Sequence, residues 1–472
     1  MWRRFIAPRP LALALLLLAA ASYSLLSVVN HLCFHTFGLD LGVYSHALYH
    51  YAHFQPDLGT FYLDHPRNLL SDHFDLYLPL LSPLVWIFGQ YTLLVVQIAA
   101  VLFGAWGVYC LVADRSNRWV ALAAMASFLS FFGIWQALAF DYHSNVVACM
   151  LLPWLILALH RGRYGWFAAL TVLICLAKET MPLWLLFVML ALAWDYRRDR
   201  HALRWLAAAA CFCLTYLVLV VLVVMPALCP DPSPGFWRYQ HMGDSFSGVA
   251  LWLLSHPLQA LQQLGGSPQK IEFYLCLLAS GGLLCLLRRP HWLLMLIPLV
   301  GQKMLSCDEA FWGIAYHYNV EFAVVVIPGV FLALTALNHK CWRRTGAVLT
   351  LSLCIFATIY TTSNYTTLKP YTWIRRENVR LLDARHYRND SFAARTARET
   401  LRQVPANLAV CASSPLTPHL AMRPKLYLFP VGLVHQPDLL ILIPEDVPAL
   451  LDNPNWHLVD TTAGLYTFVP SP

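Results

Sequence analysis

The sequence predicts an all-α polytopic membrane protein of about eleven spanning helices with a small α/β domain at its C-terminal end, and three observations predict it. Hydrophobic residues make up 59% of the 472 and charged residues only 12%, about half the charged share of an ordinary globular chain. Long apolar runs recur up to residue 363, separated by short clusters of arginine. Beyond it, residues 364–472 change to short strand-like runs with Pro and Asp/Asn at their joints. The net charge of +7 would suggest nucleic acid only if the basic residues clustered on a soluble face. They lie between apolar runs instead, which is the positive-inside pattern.

The first run, 11–29, follows Arg3, Arg4 and Arg9 and is long enough to be an uncleaved anchor. Further runs are 91–113, 119–135, 145–160, 164–177, 181–194, 205–226, 271–287, 291–305, 318–337 and 345–363. Lys178-Glu179, with Pro182 just after, interrupts the stretch 164–194. Two helices there, rather than one, put Arg115/Arg118, Arg161/Arg163, Arg197/Arg198/Arg200/Arg204, Arg288/Arg289 and Lys340/Arg343/Arg344 on the same side as Arg3, Arg4 and Arg9. Lys and Arg then number 16 on the inner face, 5 in the outer loops and 11 in the C-terminal tail. This places the N-terminus inside and the C-terminus outside.

The division is therefore a membrane domain, 1–363, and an extracytoplasmic α/β domain, 364–472. Two outer loops are large, 31–90 and 227–270. The first holds an amphipathic helix at 39–54, lying at the interface, and an apolar helix at 77–88, too short to span. In the tail, 375–403 is charged and helical in pattern, and strands are expected at 408–411, 425–429, 439–443, 457–459 and 465–469. Thirteen cysteines, mostly within apolar runs and without CxxC or zinc spacing, read as small packing residues.

Ionisable residues at membrane depth are costly, so their placement is informative. With this topology Asp40, Asp72, His73, Asp141, His143, Lys178, Glu179, His241, Asp244, Lys303, Asp308, Glu309 and His317 all fall on the outer face, whereas arginine dominates the inner loops. Asp40, at the start of the interfacial helix, suits a general base acting on a hydroxyl; it equally suits a helix N-cap. Ser71 or Asp72 suits a cap for the apolar helix after it. His46, His50 and His53 share one helical face, a metal set only if carboxylates join it and otherwise the polar side of a surface helix. Asp141-Tyr142-His143 and Lys178-Glu179 stand at the outer mouths of spans, where a structural ion pair of Lys178 with Asp141 or Glu179 competes with a functional role. GxSxG, HExxH, Walker and GxGxxG motifs lack their contexts, so no nucleotide cofactor is expected and a transferred group has to come from another activated carrier.

The ordered set Phe37-Gly38-Leu39-Asp40-Leu41-Gly42, Ser71-Asp72-His73-Phe74, Asp141-Tyr142-His143, Lys178-Glu179, Tyr239-Gln240-His241-Met242-Gly243, Tyr316-His317-Tyr318 and Pro418-His419-Leu420 resembles the bacterial membrane family called domain of unknown function 2079. That family in turn looks like a distant branch of the GT-C glycosyltransferases, which include protein mannosyltransferases and the aminoarabinose transferases of lipid A. Those enzymes carry an acid in the first outer loop, a position Asp40 matches; the second acid that often adjoins it is absent, since Leu41 follows. Their His/Lys-Pro-Pro turn has its counterpart in Asp72-His73-Phe74, without the prolines, and their Lys-containing turn in Lys178-Glu179. The resemblance implies a GT-C-like bundle in a bacterial inner membrane that transfers a sugar, with inversion, from a polyprenyl-phosphate donor to an acceptor on the outer face. In it Asp40 would be catalytic, Lys178 with His73 or His317 would hold the departing phosphate, and Asp72, Asp141, His143, Glu179 and His241 would complete the substrate site. Membrane lipid is the other implied partner, and the resemblance leaves a divalent metal open. A transporter or flippase, or a membrane scaffold, are the alternative classes; a transporter more often shows internal repeats and broken helices at the midplane.

Overall fold

The computed structural model describes residues 10–229, 238–365, 376–450 and 453–472. Arg3, Arg4 and Arg9 lie outside the described residues. The chain is mostly helical through residue 363 and closes with one five-stranded sheet. Among the described residues, four helices are long and apolar enough to cross a membrane: Pro10–Leu32, Tyr77–Ala113, Arg200–Leu228 and Lys340–Ser363. The pair Arg118–Leu129 and Phe132–Ala139, bent by 42°, makes a fifth if counted as one span. Ser144–His160, Tyr164–Cys175, Met181–Asp195 and Val320–Thr335 are apolar but shorter. Length and composition alone thus identify four or five of the expected eleven. The runs 271–287 and 291–305 are broken into shorter pieces, at Gly281, whose φ is 103°, and after the 3₁₀ segment Pro290–Leu296.

Helix Val320–Thr335 is buried from Val320 through Leu334, and being apolar on nearly every face it can sit only at the centre of the bundle. Arg200–Leu219 and Lys340–Ser363 do the opposite, exposing Leu214, Val218, Leu349, Phe356 and Ile359. So large an apolar surface on a folded chain faces lipid. The break at Lys178-Glu179 is present: Tyr164–Cys175 and Met181–Asp195 are separate helices, and the Met181 N–H donates to the Lys178 carbonyl at 3.0 Å to close the turn.

One sequence expectation needs correction in the loops that carry the arginine clusters. Asp114, Asp195 and Asp199 stand among the arginines there, and each is used structurally. Asp114 pairs with Arg161 at 3.0 Å, and Asp195 accepts from Arg289 at 3.1 Å and His291 at 2.9 Å. The Asp199 carboxylate caps Arg200–Leu219 by accepting from the His201 and Ala202 N–H groups. The acids among the arginine clusters are therefore few, and each is tied to a neighbouring cation or a helix end.

In the first large loop a wide turn, Gly38–Gly42, runs into helix Val43–Ala52. The expected single helix at 77–88 is instead a string of one-turn pieces, Tyr77–Leu81, Ser82–Leu84 and Val85–Phe88, because Pro79 and Pro83 each remove an N–H from the ladder. The sheet comprises β1 Val410–Ala412, β2 Leu426–Leu428, β3 Leu439–Leu442, β4 Trp456–Asp460 and β5 Tyr466–Pro470 in the order β2-β1-β3-β5-β4. Strand β1 is parallel to β2 and β3, and β5 is antiparallel to β3 and β4. Of the expected helical segment 375–403, whose first residue lies outside the described ones, only Ala394–Gln403 is α-helix. Before it, Asp383 accepts from the Arg385 N–H and Asn389 from the Ser391 and Phe392 N–H groups, local bonds that compete with a helix.

This C-terminal layer rests on the first outer loop. Leu428 N–H donates to the Phe61 carbonyl at 2.7 Å, and His435 Nε2 lies 2.8 Å from the Leu63 carbonyl oxygen. Leu41, Val43, Ala47 and Leu48 share one apolar cluster with Leu401, Val410, Leu416 and Leu426.

Candidate functional site

The Gly38–Gly42 turn carries Asp40 between two glycines that allow a close approach. A Cβ on Gly38 would lie 2.8 Å from Leu428 and 3.0 Å from Thr417 Oγ1; one on Gly42 would lie 2.9 Å from Thr417 Oγ1. Only glycine lets the Ser414–Leu416 turn and Thr417 settle directly on this backbone. The contact is sealed by the Gly38 N–H donating to Ser414 Oγ at 3.0 Å.

Asp40 does not cap the helix, contrary to one of the two sequence readings. Gly42 stands at the N-terminal boundary of Val43–Ala52 and no side chain caps it. The acid that holds the turn is Asp141, whose Oδ2 accepts from the Phe37 N–H at 2.9 Å and the Leu41 N–H at 3.3 Å. Asp141 is buried with φ of 45°, a left-handed conformation Asp tolerates better than most residues. Burial, then the neighbouring charge of Asp40, pushes its carboxyl well above the usual range against those two N–H groups, so the buried member of the pair is driven toward the neutral form. Asp40 is left with a part-exposed carboxylate, 28% accessible, whose Oδ1 stands 3.3 Å from His143 Nε2.

His143 is locked from several sides. Its N–H donates to Gln97 Oε1 at 3.0 Å, while Gln97 Nε2 donates to the Asp141 carbonyl at 2.7 Å. The ring stacks on His317 with centroids 3.4 Å apart, and Phe140 stacks against both. Burial lowers the His143 pKa against the opposing pull of Asp40, which favours a neutral ring able to donate to the Asp40 carboxylate.

Opposite lies a second group. Glu179 accepts from the Phe74 N–H at 3.1 Å and meets His73 Nδ1 at 3.2 Å. Burial raises its carboxyl, but the charge and hydrogen bond of His73 and the charge of Lys178 more than offset this and hold it at about 2. Asp75 is buried and pushed up to about 7 by that burial, against bonds from Ser144 and the Tyr77 N–H. It is Asp75, rather than Ser71 or Asp72, that takes the Tyr77 N–H at the start of the next helix, at 2.9 Å. Lys178 is half-buried, and its charge reaches Asp75, His143, Glu179 and Glu321. Among the described residues it has neither a hydrogen-bonded side-chain partner nor an ion pair, so the sequence alternative of a structural pair with Asp141 or Glu179 is not realised.

Asp40, His73, Asp141, His143, Lys178, Glu179 and His317 thus gather in one region. Asp72 borders it, bearing on Tyr44 and Tyr62. His241 does not join: it is exposed, with Nε2 3.3 Å from Gln263 Oε1. Lys303 is buried and donates to the Phe311 and Gly313 carbonyls, and Asp308 pairs with Arg238. Two members went unread in the sequence, Asp75 and Gln97. Gln97 is a lone amide in the apolar helix Thr92–Ala113, and that isolation is the signal that marks it.

Chemically, the region offers a part-exposed carboxylate beside an imidazole that burial keeps toward the neutral form, and a half-buried ammonium whose charge reaches that imidazole and which has no ion pair among the described residues. The family model described as "Predicted membrane protein (DUF2079)" matches residues 30–464. The structure of ArnT from Cupriavidus metallidurans bound to undecaprenyl phosphate aligns with a TM-score of 0.54 at 10% identity, over 98% of this chain and 99% of that one. The same protein in the apo state aligns with a TM-score of 0.52 at 11% identity, over 97% and 98%. The Archaeoglobus fulgidus oligosaccharyltransferase reaches only 0.43 at 13% identity, over 88% of this chain and 64% of that one. No curated protein matches the chain. At such identities the likeness to ArnT speaks for the fold alone.

Proposed function

This chain belongs to the family of predicted membrane proteins DUF2079, and from that premise we propose that it is a GT-C-type inverting glycosyltransferase using a polyprenyl-phosphate sugar donor. The observation that carries the reading is the pairing of a part-exposed Asp40, tied to no helix end, with a partnerless Lys178 across the same region. An ArnT fold solved with undecaprenyl phosphate supports the class of donor.

In this mechanism Asp40 takes the proton of an acceptor hydroxyl as its oxygen attacks the anomeric carbon. The bond from that carbon to phosphate breaks, and its electron pair leaves with the lipid phosphate. Lys178 stabilises the charge that develops there, in surroundings whose low dielectric strengthens the interaction. His143 positions Asp40, and His73 holds Glu179 beside Lys178. The site faces the outer side of a bacterial inner membrane that the chain crosses about eleven times, with residues 364–472 as an extracytoplasmic domain covering Asp40 from above. Native thiols check the orientation. Exposed Cys307 reacts with an impermeant maleimide in intact cells, while exposed Cys341 reacts only after permeabilisation; the reverse pattern would refute it.

The reaction is tested by supplying membranes with candidate polyprenyl-phosphate sugars and following release of the lipid phosphate. Asp40→Asn keeps shape and removes the base, and turnover falls at least about 10²-fold with folding intact. Lys178→Met weakens donor binding by about 10- to 100-fold, the worth of a charged hydrogen bond. Parent-like turnover in Asp40→Asn defeats the mechanism and brings the transporter and scaffold readings forward.

A further inference from the structure

Helix Val43–Ala52 turns a second face away from Asp40, and that face is built from His46 and His50, one helical turn apart, their rings 4.5 Å between centroids and nearly perpendicular. The chain reverses at Phe54, whose φ is 57°, and so returns Asp57 to the same face. His46 Nδ1 and Asp57 Oδ2 are 3.6 Å apart. One ligating atom from each of His46, His50 and Asp57 can be chosen so that all lie within 4.8 Å of one another. We propose that these three residues form a divalent-metal site, suited to zinc, that clamps the interfacial helix to the loop that follows it.

The strongest indication is His46. It is 3% exposed, yet neither ring nitrogen makes a hydrogen bond of full geometry, a state that buried polar groups rarely keep. Nδ1 points toward Asp57, and the Arg423 backbone is its other polar neighbour. A metal on one nitrogen with a carbonyl steadying the other is the usual outer-shell arrangement for a ligating histidine. Asp57 is prepared in the same way. Its Oδ1 accepts the Gly59 N–H at 2.8 Å, which leaves Oδ2 for His46 and the ion.

Zinc bonds of roughly 2.0–2.2 Å set tetrahedral ligand atoms about 3.3–3.5 Å apart. The His46–Asp57 distance is already near that value. His50, half-buried, closes the remaining gap by rotating away from Gln55, whose Oε1 lies 3.3 Å from its Nδ1. Two imidazoles and one carboxylate leave a fourth position for water from the outer solution. His53, although on the same helical face, is committed elsewhere, with Nδ1 2.8 Å from the Tyr49 carbonyl. Because His46 also packs against Phe61, the ion would stiffen the seam on which the C-terminal domain sits. This inference stands independently of the proposed glycosyl transfer.

The test uses the full-length protein in detergent, stripped with a chelator and titrated with Zn²⁺ alone. One ion per chain binds and raises the melting temperature, and Co²⁺ in its place gives the visible ligand-field absorption of a four-coordinate nitrogen–oxygen site. His50→Ala, at a half-buried position, weakens binding at least about 10-fold, as loss of even outer-shell groups does. Asp57→Asn, which keeps the acceptor for Gly59, does the same, while His53→Ala binds like the parent. Absence of stoichiometric uptake, or uptake unchanged in both His50→Ala and Asp57→Asn, overturns the proposal.

Discussion

The two large loops, 31–90 and 227–270, carry similar residues and meet different fates. In the first, Asp40, Asp57, Asp75 and His46 are held beneath or against a second layer of chain, and their polar atoms are rationed among a few neighbours. In the second, helices Phe246–Ser255 and Pro257–Gly265 leave Leu251, Leu254, Leu258 and Leu261 exposed, and Pro257–Gly265 has no buried residue at all. Its leucines alternate with Gln259, Gln262 and Gln263, which suits a helix lying on a membrane surface. His241, beside it, is exposed and meets only Gln263 and the edge of Trp252 among the described residues. A histidine or acid of these loops becomes a site only where other parts of the chain control its surroundings: Asp141 and His143 around Asp40, Ser144 beside Asp75, and Ser414 and Thr417 against the turn that carries Asp40.

The contrast can be broken first at Asp75. Its folded-state pKa of about 7 lies above the ordinary 3.8, so between these values the folded chain holds a proton that the unfolded chain has lost. Stability therefore falls as pH rises from about 4 to about 7 and is level above that. The shift corresponds to roughly 4 kcal/mol. Asp75→Asn can still accept from Tyr77 and should lose this slope; a parent-like fall of melting temperature across the same window would show that the burial of the first loop does not control the acid.

A smaller effect is expected at the glycines. Gly42→Ala pushes a methyl against Thr417 and Phe61 and should destabilise by about 1–3 kcal/mol, as overpacking does, with protease sensitivity rising in the C-terminal domain. The smallest effect sharpens the comparison from the other loop. Gly265→Ala meets nothing within 4 Å and should change stability by less than about 1 kcal/mol, in the stabilising direction that helix propensity favours. Equal destabilisation at both glycines would erase the distinction between the loops.

Much of this was legible beforehand. The five strands of the C-terminal domain follow from short β-rich runs between prolines and acids, and the break at Lys178-Glu179 follows from arginine parity. Helix lengths were less legible, because apolar runs such as 271–287 read as continuous while Gly281 bends the backbone. Of the site, Asp40, His143, Lys178 and His317 could be singled out by type and position, but their partners could not. A cap and a catalytic acid look alike in sequence, since both are an aspartate ahead of a helix. What separates them is the backbone: the Gly42 N–H is taken by the Phe37 carbonyl, Asp141, a hundred residues away, holds the Phe37 and Leu41 N–H groups, and the Asp40 side chain turns to His143 instead. Asp75 and Gln97 escaped notice because a single polar residue near an apolar run gives no periodic signal.

The bond from Gly38 to Ser414 spans 376 residues of sequence. At a synthesis rate of roughly 5–20 residues per second, the partner of Gly38 emerges about 20–75 s after it. Until then the turn that carries Asp40 lacks the surface that packs on Gly38 and Gly42, so this contact is among the last the chain can make.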